Sequence, residues 1–214
     1  MTDAREPDFS AIEATLKKGA KALKDAGVPF LLGGSLASWA RGGPESTHDL
    51  DLMVKPADAR RALDTLVEAG MRAEEPPEEW LFKAWDGDVL VDVIYRPKGI
   101  EVDDEVIARG DSLSVLSMEM RVMALEDVFV TKLMALSEHA LRFEGVLQMA
   151  RSLREQVDWD RVRGATASSP FARAFFTMAE GLGIVPDHGP AEAGTGRPRV
   201  SVLTPLRSAG HEAG

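Results

Sequence analysis

The sequence predicts an α/β (α+β) protein, a small mixed β-sheet domain followed by a helical subdomain. Three observations predict it. Over the first 120 residues, short apolar runs bounded by glycine or proline alternate with stretches of helical spacing. Two of the runs, "WLFKAW" and "VLVDVIY", flank the turn signal "DGD" and read as a hairpin. From about Leu125 onward the pattern turns helical. The expected divisions are therefore 1–120 for the sheet domain, 121–184 for the helices and 185–214 for a flexible tail. The last follows from the Pro/Gly/Ala-rich "VPDHGPAEAGTGRPR", which lacks the apolar residues of a core.

The elements follow in order. Phe9, Ile12, Leu16 and Leu23 recur at helical spacing until Gly27, which predicts a first helix. "VPFLL" is a short buried strand ending in glycines. "SLASWARG" opens on Ser35, a residue suited to an N-cap, and predicts a short helix. "DLDLMV" is a strand. "PADARRALDTLVEAG" begins with proline and ends with glycine as a helix does. The hairpin comes next, and "SLSVL" and "MRVMA" add strand at the sheet margin. The stretch "EDVFVTKLMALSEHALRFEGVLQMARSLREQ" is helical, "VDWDRVRG" breaks it, and "PFARAFFTMAEGLG" is helical again. In the tail, "VSVL" has strand character.

Composition narrows the function. The 214 residues are 44% hydrophobic and 28% charged, with no apolar run long enough to span a membrane. The polar N-terminus predicts a cytoplasmic address. The absence of cysteine removes disulfides, zinc–thiolate sites and thiol nucleophiles together. A net charge of −10 opposes a broad grip on nucleic acid. The deficit lies in residues 1–120, with 24 acidic against 14 basic side chains, whereas residues 121–176 are near balance. The acidic run "EEPPEE" reads as a solvated loop that could also draw a cationic partner.

Within "LLGGSLASWARGGPESTHDLDLMV", strand alternation puts Asp49 and Asp51 on one face and Leu50 and Leu52 on the other. Carboxylates about 7 Å apart on one face repel unless a cation sits between them. Hard oxygen donors suit Mg²⁺ or Mn²⁺. The plain alternative is two solvent-exposed aspartates on a half-buried strand. Asp92 adds weight to the metal. It interrupts the apolar "VLVDVIY", and an ionised carboxylate buried there needs a cation, a strong donor or an open cleft. With strands about 4.8 Å apart, Asp92 can stand beside Asp49 and Asp51, which makes a two-metal site. Gly33 and Gly34 between strand and helix allow close approach of a phosphate, and Ser35 adds a hydroxyl donor. Neither a dinucleotide nor a P-loop fingerprint is present.

Leu32-Gly33-Gly34-Ser35, then Asp49-Leu50-Asp51-Leu52, then Asp92, resembles the nucleotidyltransferase superfamily typified by DNA polymerase β. The segment from Ala26 to Tyr95 carries the resemblance. It implies a nucleotidyltransferase fold and transfer of a nucleoside monophosphate from an NTP, such as ATP, with release of pyrophosphate. It further implies that Asp49 and Asp51 bind both metal ions, and that Asp92 completes one site and helps deprotonate the acceptor hydroxyl. A second resemblance covers "LEDVFVTKLMAL", which is similar to a helix in small bacterial relatives, including toxin-type nucleotidyltransferases of toxin–antitoxin and abortive-infection systems. It implies that Lys132 contacts the nucleotide phosphates and that a cognate antitoxin or toxin is a partner. "LRFEGVL", with Arg142 and Glu144, departs from the Arg-Asp-rich continuation of those relatives. The alternative for Lys132 is a surface pairing with Glu126 or Asp127.

Arg41 and Thr47 lie between the glycines and the aspartates, within reach of a phosphate or base, and His48 precedes the pair. Trp39, Trp80 and Trp85 are candidates to stack on a base, against the commoner role of packing the core. Three acceptors fit the resemblance: tRNA, a protein hydroxyl, or a small molecule such as an antibiotic. The acidic N-terminal part favours cationic acceptors, while Arg142, Arg151, Arg154, Arg161 and Arg163 keep RNA in view. The competing reading is a catalytically idle nucleotidyltransferase fold that serves as a partner-binding module. A third is a sheet-and-helix interaction domain whose aspartates are incidental, which would require Asp92 to be exposed and to lie far from the other two.

Overall fold

Strand order explains how distant aspartates come together. The computed structural model describes residues 9–44, 49–74 and 76–187. Its seven strands are β1 (Phe30–Leu32), β2 (Asp49–Val54), β3 (Arg72–Glu74), β4 (Leu81–Asp86), β5 (Val89–Ile94), β6 (Asp111–Val115) and β7 (Met118–Val122). They form one mixed sheet in the order β3-β4-β5-β2-β1-β7-β6. The β2–β5 and β1–β7 pairs are parallel and the rest antiparallel.

One face of the sheet is covered by α1 (Phe9–Asp25) and α3 (Ala59–Glu68). Helical spacing directs Ile12, Leu16, Ala20 and Leu23 of α1, and Ala62, Leu63 and Leu66 of α3, into the core. They meet Leu50, Leu52, Val91 and Val93, each no more than 1% exposed. Asp86 at the end of β4 accepts from Thr15 Oγ1 (3.1 Å) and Lys18 Nζ (2.8 Å), which ties α1 to the same face. The opposite face carries the acidic residues. It is flanked by α2 (Gly34–Trp39) and by α5 (Leu125–Ala135), which touch each other.

The sheet's last strand runs two residues past the boundary expected at residue 120, and the remaining elements are helical. β3 and the short α4 (Asp104–Ala108) were not anticipated. β3 is three exposed residues with no hydrophobic alternation to mark it. The long helical stretch divides into α5 and α6 (Phe143–Leu153), because Leu136 turns extended after α5. The expected break at "VDWDRVRG" is instead helix α7 (Trp159–Thr166). The Asp158 carboxylate caps it by accepting from the Arg161 N–H at 3.0 Å, and Trp159 packs edge-on against Phe129 at 4.9 Å. α8 (Pro170–Gly181) begins after Ser169, which caps it, with proline at the first turn. No described helix is long and apolar enough to cross a membrane. The tail from His188 on, with "VSVL", lies outside the described residues, as do Thr47 and His48.

Candidate active site

Alternation along β2 buries Leu50 and Leu52 and leaves Asp49 and Asp51 half-buried on the other face. The parallel β2–β5 register sets Asp51 directly opposite Asp92. The three side chains each bring a carboxylate oxygen within 4.8 Å of the other two. Asp92 is 8% exposed. The interaction-domain reading, which needed Asp92 remote, is overturned by this convergence.

The cluster is short of positive charge. Among the described residues neither Asp49 nor Asp51 forms an ion pair, and Asp92 has Lys83 Nζ at 3.2 Å. Burial pushes the Asp51 carboxyl up to about 7, the Asp49 charge adds to the push, and Lys132 and Lys83 offset it only in part. Asp92 is also raised, first by burial, with Lys83 opposing. Three hard oxygen donors with unbalanced negative charge fit a hard divalent cation rather than a soft metal.

Both glycines lie against Asp51. Gly33 N–H donates to the Asp51 carbonyl at 2.8 Å, which extends the β1–β2 pairing by one residue. Gly34 has φ +57°, and a Cβ there would lie 1.6 Å from Asp51 Oδ2. The chain can turn into α2 hard against Asp51 only with glycine. Gly33, not Ser35, is the N-cap of α2, because the glycine pair lets the helix start two residues early. Ser35 sits in the first turn, where its Oγ accepts from Lys132 Nζ at 3.1 Å. Lys132 pairs with neither Glu126 nor Asp127. Glu126 accepts from the Asp158 N–H, and Asp127 is held by Arg109 and Arg161.

Two cavities meet at Lys132. One of about 520 Å³ runs over the acidic face and is lined by Gly34, Asp51, Trp80, Arg96, Lys98 and Lys132 among others. The other, about 450 Å³, lies between α2 and the helical part, with Ser35, Ser38, Lys132, Arg142 and Gln148 in its wall.

Residues 12–172 match the family described as "nucleotidyl transferase of unknown function" (DUF2204). The chain belongs to this family. No curated protein sequence matches it. Among solved structures, a crystal structure of ANT(2'')-Ia in complex with adenylyl-2''-tobramycin is similar, at 17% identity over 78% of this chain and 97% of the other, with a TM-score of 0.55. A solution structure of the antibiotic-resistance factor ANT(2'')-Ia aligns at the same identity over 81% and 97%, with a TM-score of 0.57. These likenesses bear on the fold, which is that of a nucleotidyltransferase.

In this transferase several other expected site residues have different surroundings. The Arg41 side chain is 7% exposed, and its guanidinium donates to the carbonyls of Ala37 and Met123 (2.8 Å each) and to Asp111 at 2.6 Å. It clamps α2 to β6 and the end of β7. Trp39 packs edge-on against Phe9 at 5.4 Å. Trp85 donates to Glu74 at 2.8 Å, with Arg72 over its ring. Trp80 alone of the three stands at a cavity rim, 42% exposed. Of the five arginines considered for RNA, Arg154, Arg161 and Arg163 are paired with acids. Sequence reasoning missed Lys83. The signal was present, because a two-residue turn at Gly87 and Asp88 pairs Asp86 with Val89 and hence Lys83 with Asp92.

Proposed function

We propose that the chain transfers a nucleoside monophosphate from an NTP to the hydroxyl of a small molecule, with a divalent metal held by Asp49, Asp51 and Asp92. The observation that carries this reading is the convergence of three carboxylates with unbalanced charge beside a glycine turn that no other residue could make. Mg²⁺ or Mn²⁺ bound there supplies Lewis-acid polarisation of the transferred phosphate and neutralises charge on the leaving group.

The chain's own residues do the rest. The cavity beside Gly34 and Asp51 admits the triphosphate, and Lys132, held at Ser35, presents an ammonium to its anionic tail. Asp92 stands at the buried end of the cluster, where its raised pKa suits a proton acceptor. The acceptor oxygen forms a bond to the α-phosphorus as the bond from that phosphorus to the bridging oxygen breaks. The hydroxyl proton passes to Asp92, and pyrophosphate leaves with the bonding pair. Binding and orientation supply most of the catalysis, and no covalent enzyme intermediate is needed.

A small acceptor is favoured over RNA because the helical arginines are largely paired and the acidic excess lies on the catalytic part. The adenylyl-2''-tobramycin complex of ANT(2'')-Ia shows a similar fold with an adenylylated small molecule bound. The test is calorimetric titration of each NTP with Mg²⁺ or Mn²⁺, on wild type and on Asp49→Asn/Asp51→Asn. Metal-dependent binding should disappear in the double variant. Absence of binding to well-folded wild type would favour the idle, partner-binding module.

A further inference from the structure

The two ends of the carboxylate cluster are not equivalent. Among the described residues Asp49 and Asp51 have no ion-pair partner, whereas Asp92 shares its carboxylate with an ammonium that the fold delivers there. Lys83 faces Asp92 across the β4–β5 hairpin, and register alone keeps it on the acidic face. Its side chain is 23% exposed and that of Asp92 12%, so water screens the contact only in part. The other acid opposite Lys83 is Glu74, whose carboxylate is already engaged by the Trp85 indole N–H at 2.8 Å. The ammonium is thus turned toward Asp92.

We propose that Lys83 is a positioning residue and a resident counter-cation. It orients the Asp92 carboxylate and resists a divalent ion at that end, so that metal enters first between Asp49 and Asp51. This rests on reading the three aspartates as the metal-holding cluster. The physical reason is competition. An ammonium and a divalent ion are drawn to the same oxygens and repel each other across a few ångströms of poorly screened space. The Asp92 end then accepts an ion only when further negative charge, such as a triphosphate, arrives. A site with three carboxylates would in this way behave toward free metal as a site with two.

Mn²⁺ titration of the full chain without nucleotide, followed by the resonance of free Mn²⁺, tests this. Lys83→Met should tighten Mn²⁺ binding by about tenfold or more, through removal of the like charge. Lys83→Arg, which keeps the charge, should bind as wild type does. Should Lys83→Met fail to fold, as judged by its melting curve, Lys83→Gln is read the same way. Affinity of the folded neutral variant within twofold of wild type, or weaker, overturns the proposal, as does equal tightening in Lys83→Arg. The Asp49→Asn/Asp51→Asn variant separates the two readings. If it retains wild-type Mn²⁺ binding, the metal-holding cluster itself is wrong. If it loses binding while Lys83→Met changes nothing, only the role of Lys83 is wrong.

Discussion

Among the described residues, the clusters of charge around Asp127 and around Asp92 are built in opposite ways. Asp127 on α5 is 3% exposed and sits between two arginines, with Arg109 Nε at 2.6 Å and Arg161 at 3.1 Å. Those contacts join α5 to the end of α4 and to α7, so the carboxylate is matched and its job is to hold elements together. The Asp49–Asp51–Asp92 cluster gathers three carboxylates and has one ammonium in contact, that of Lys83. Folding alone does not favour such an excess, since a buried charge without a partner costs several kcal/mol. The difference teaches where to look for function. A matched buried acid is architecture, and an unmatched group of acids is a candidate binding site for a cation the chain does not itself supply.

Substitutions at the two clusters should therefore diverge in kind. Asp49→Asn/Asp51→Asn should lower nucleotidyl transfer by more than about a hundredfold, a loss of the size seen when electrostatic stabilisation of a transition state is removed. Its metal-free thermal stability should hold or rise, because repulsion is removed and no ion pair is broken. Asp127→Asn should do the reverse. It removes the charge from two hydrogen-bonded ion pairs whose arginines stay partly solvated, and should cost about 1.5–3 kcal/mol in denaturant unfolding. The metal affinity of the protein that remains folded should stay at the wild-type value. Parallel melting and Mn²⁺ titration on both variants checks the pair.

A smaller effect is expected at Gly34. Gly34→Ala places a methyl group where Asp51 Oδ2 now lies and demands a left-handed φ of an alanine. Strain of that kind costs about 1–3 kcal/mol, and the displaced Asp51 should weaken Mn²⁺ binding as well. The same change at Gly27, which has φ +65° and open space around it, carries the backbone strain without the clash. Gly27→Ala should lose stability and keep its metal affinity.

What could be read from the sequence depended on how local the determinant was. β2 was predictable residue by residue, because period-two alternation in "DLDLMV" is complete within six residues. Asp92 was predictable as an anomaly in an apolar strand, and its neighbour Lys83, which was missed, is implied by a turn two residues long. Arg41 was not predictable. Its clamp partners Asp111 and Met123 stand 70 and 82 positions away, on elements whose approach depends on the β1–β7 parallel pairing. The helix at Trp159–Thr166 was hidden for a related reason. Its polar sequence has weak propensity of its own, and the contact of Trp159 with Phe129 stabilises it from outside.

The mildest expected effect concerns pH, and it returns to the unmatched cluster. Burial and the Asp49 charge raise Asp51 from 3.8 to about 7 in the folded chain. The folded state therefore holds a proton that the unfolded chain releases near pH 4. Between about pH 4 and pH 7 the unfolded state binds fewer protons, so the stability of metal-free protein falls as pH rises through that window. Above about 7 the carboxylate is ionised in both states and the loss is complete. Chelator-treated protein should thus melt a few degrees lower at pH 8 than at pH 5.5, a shift of about the size that 1–2 kcal/mol produces in a chain of this length. Excess Mn²⁺ should flatten the difference, because metal binds the ionised form and offsets the repulsion. Asp51→Asn should also flatten it, without metal, whereas Asp127→Asn should lower the melting temperature and leave the slope between the two pH values in place. Asp92 is raised as well, so a slope that survives in both Asp51→Asn and Asp92→Asn would mean that a group outside the cluster carries the proton, and the contrast between the matched and unmatched clusters would lose its electrostatic basis.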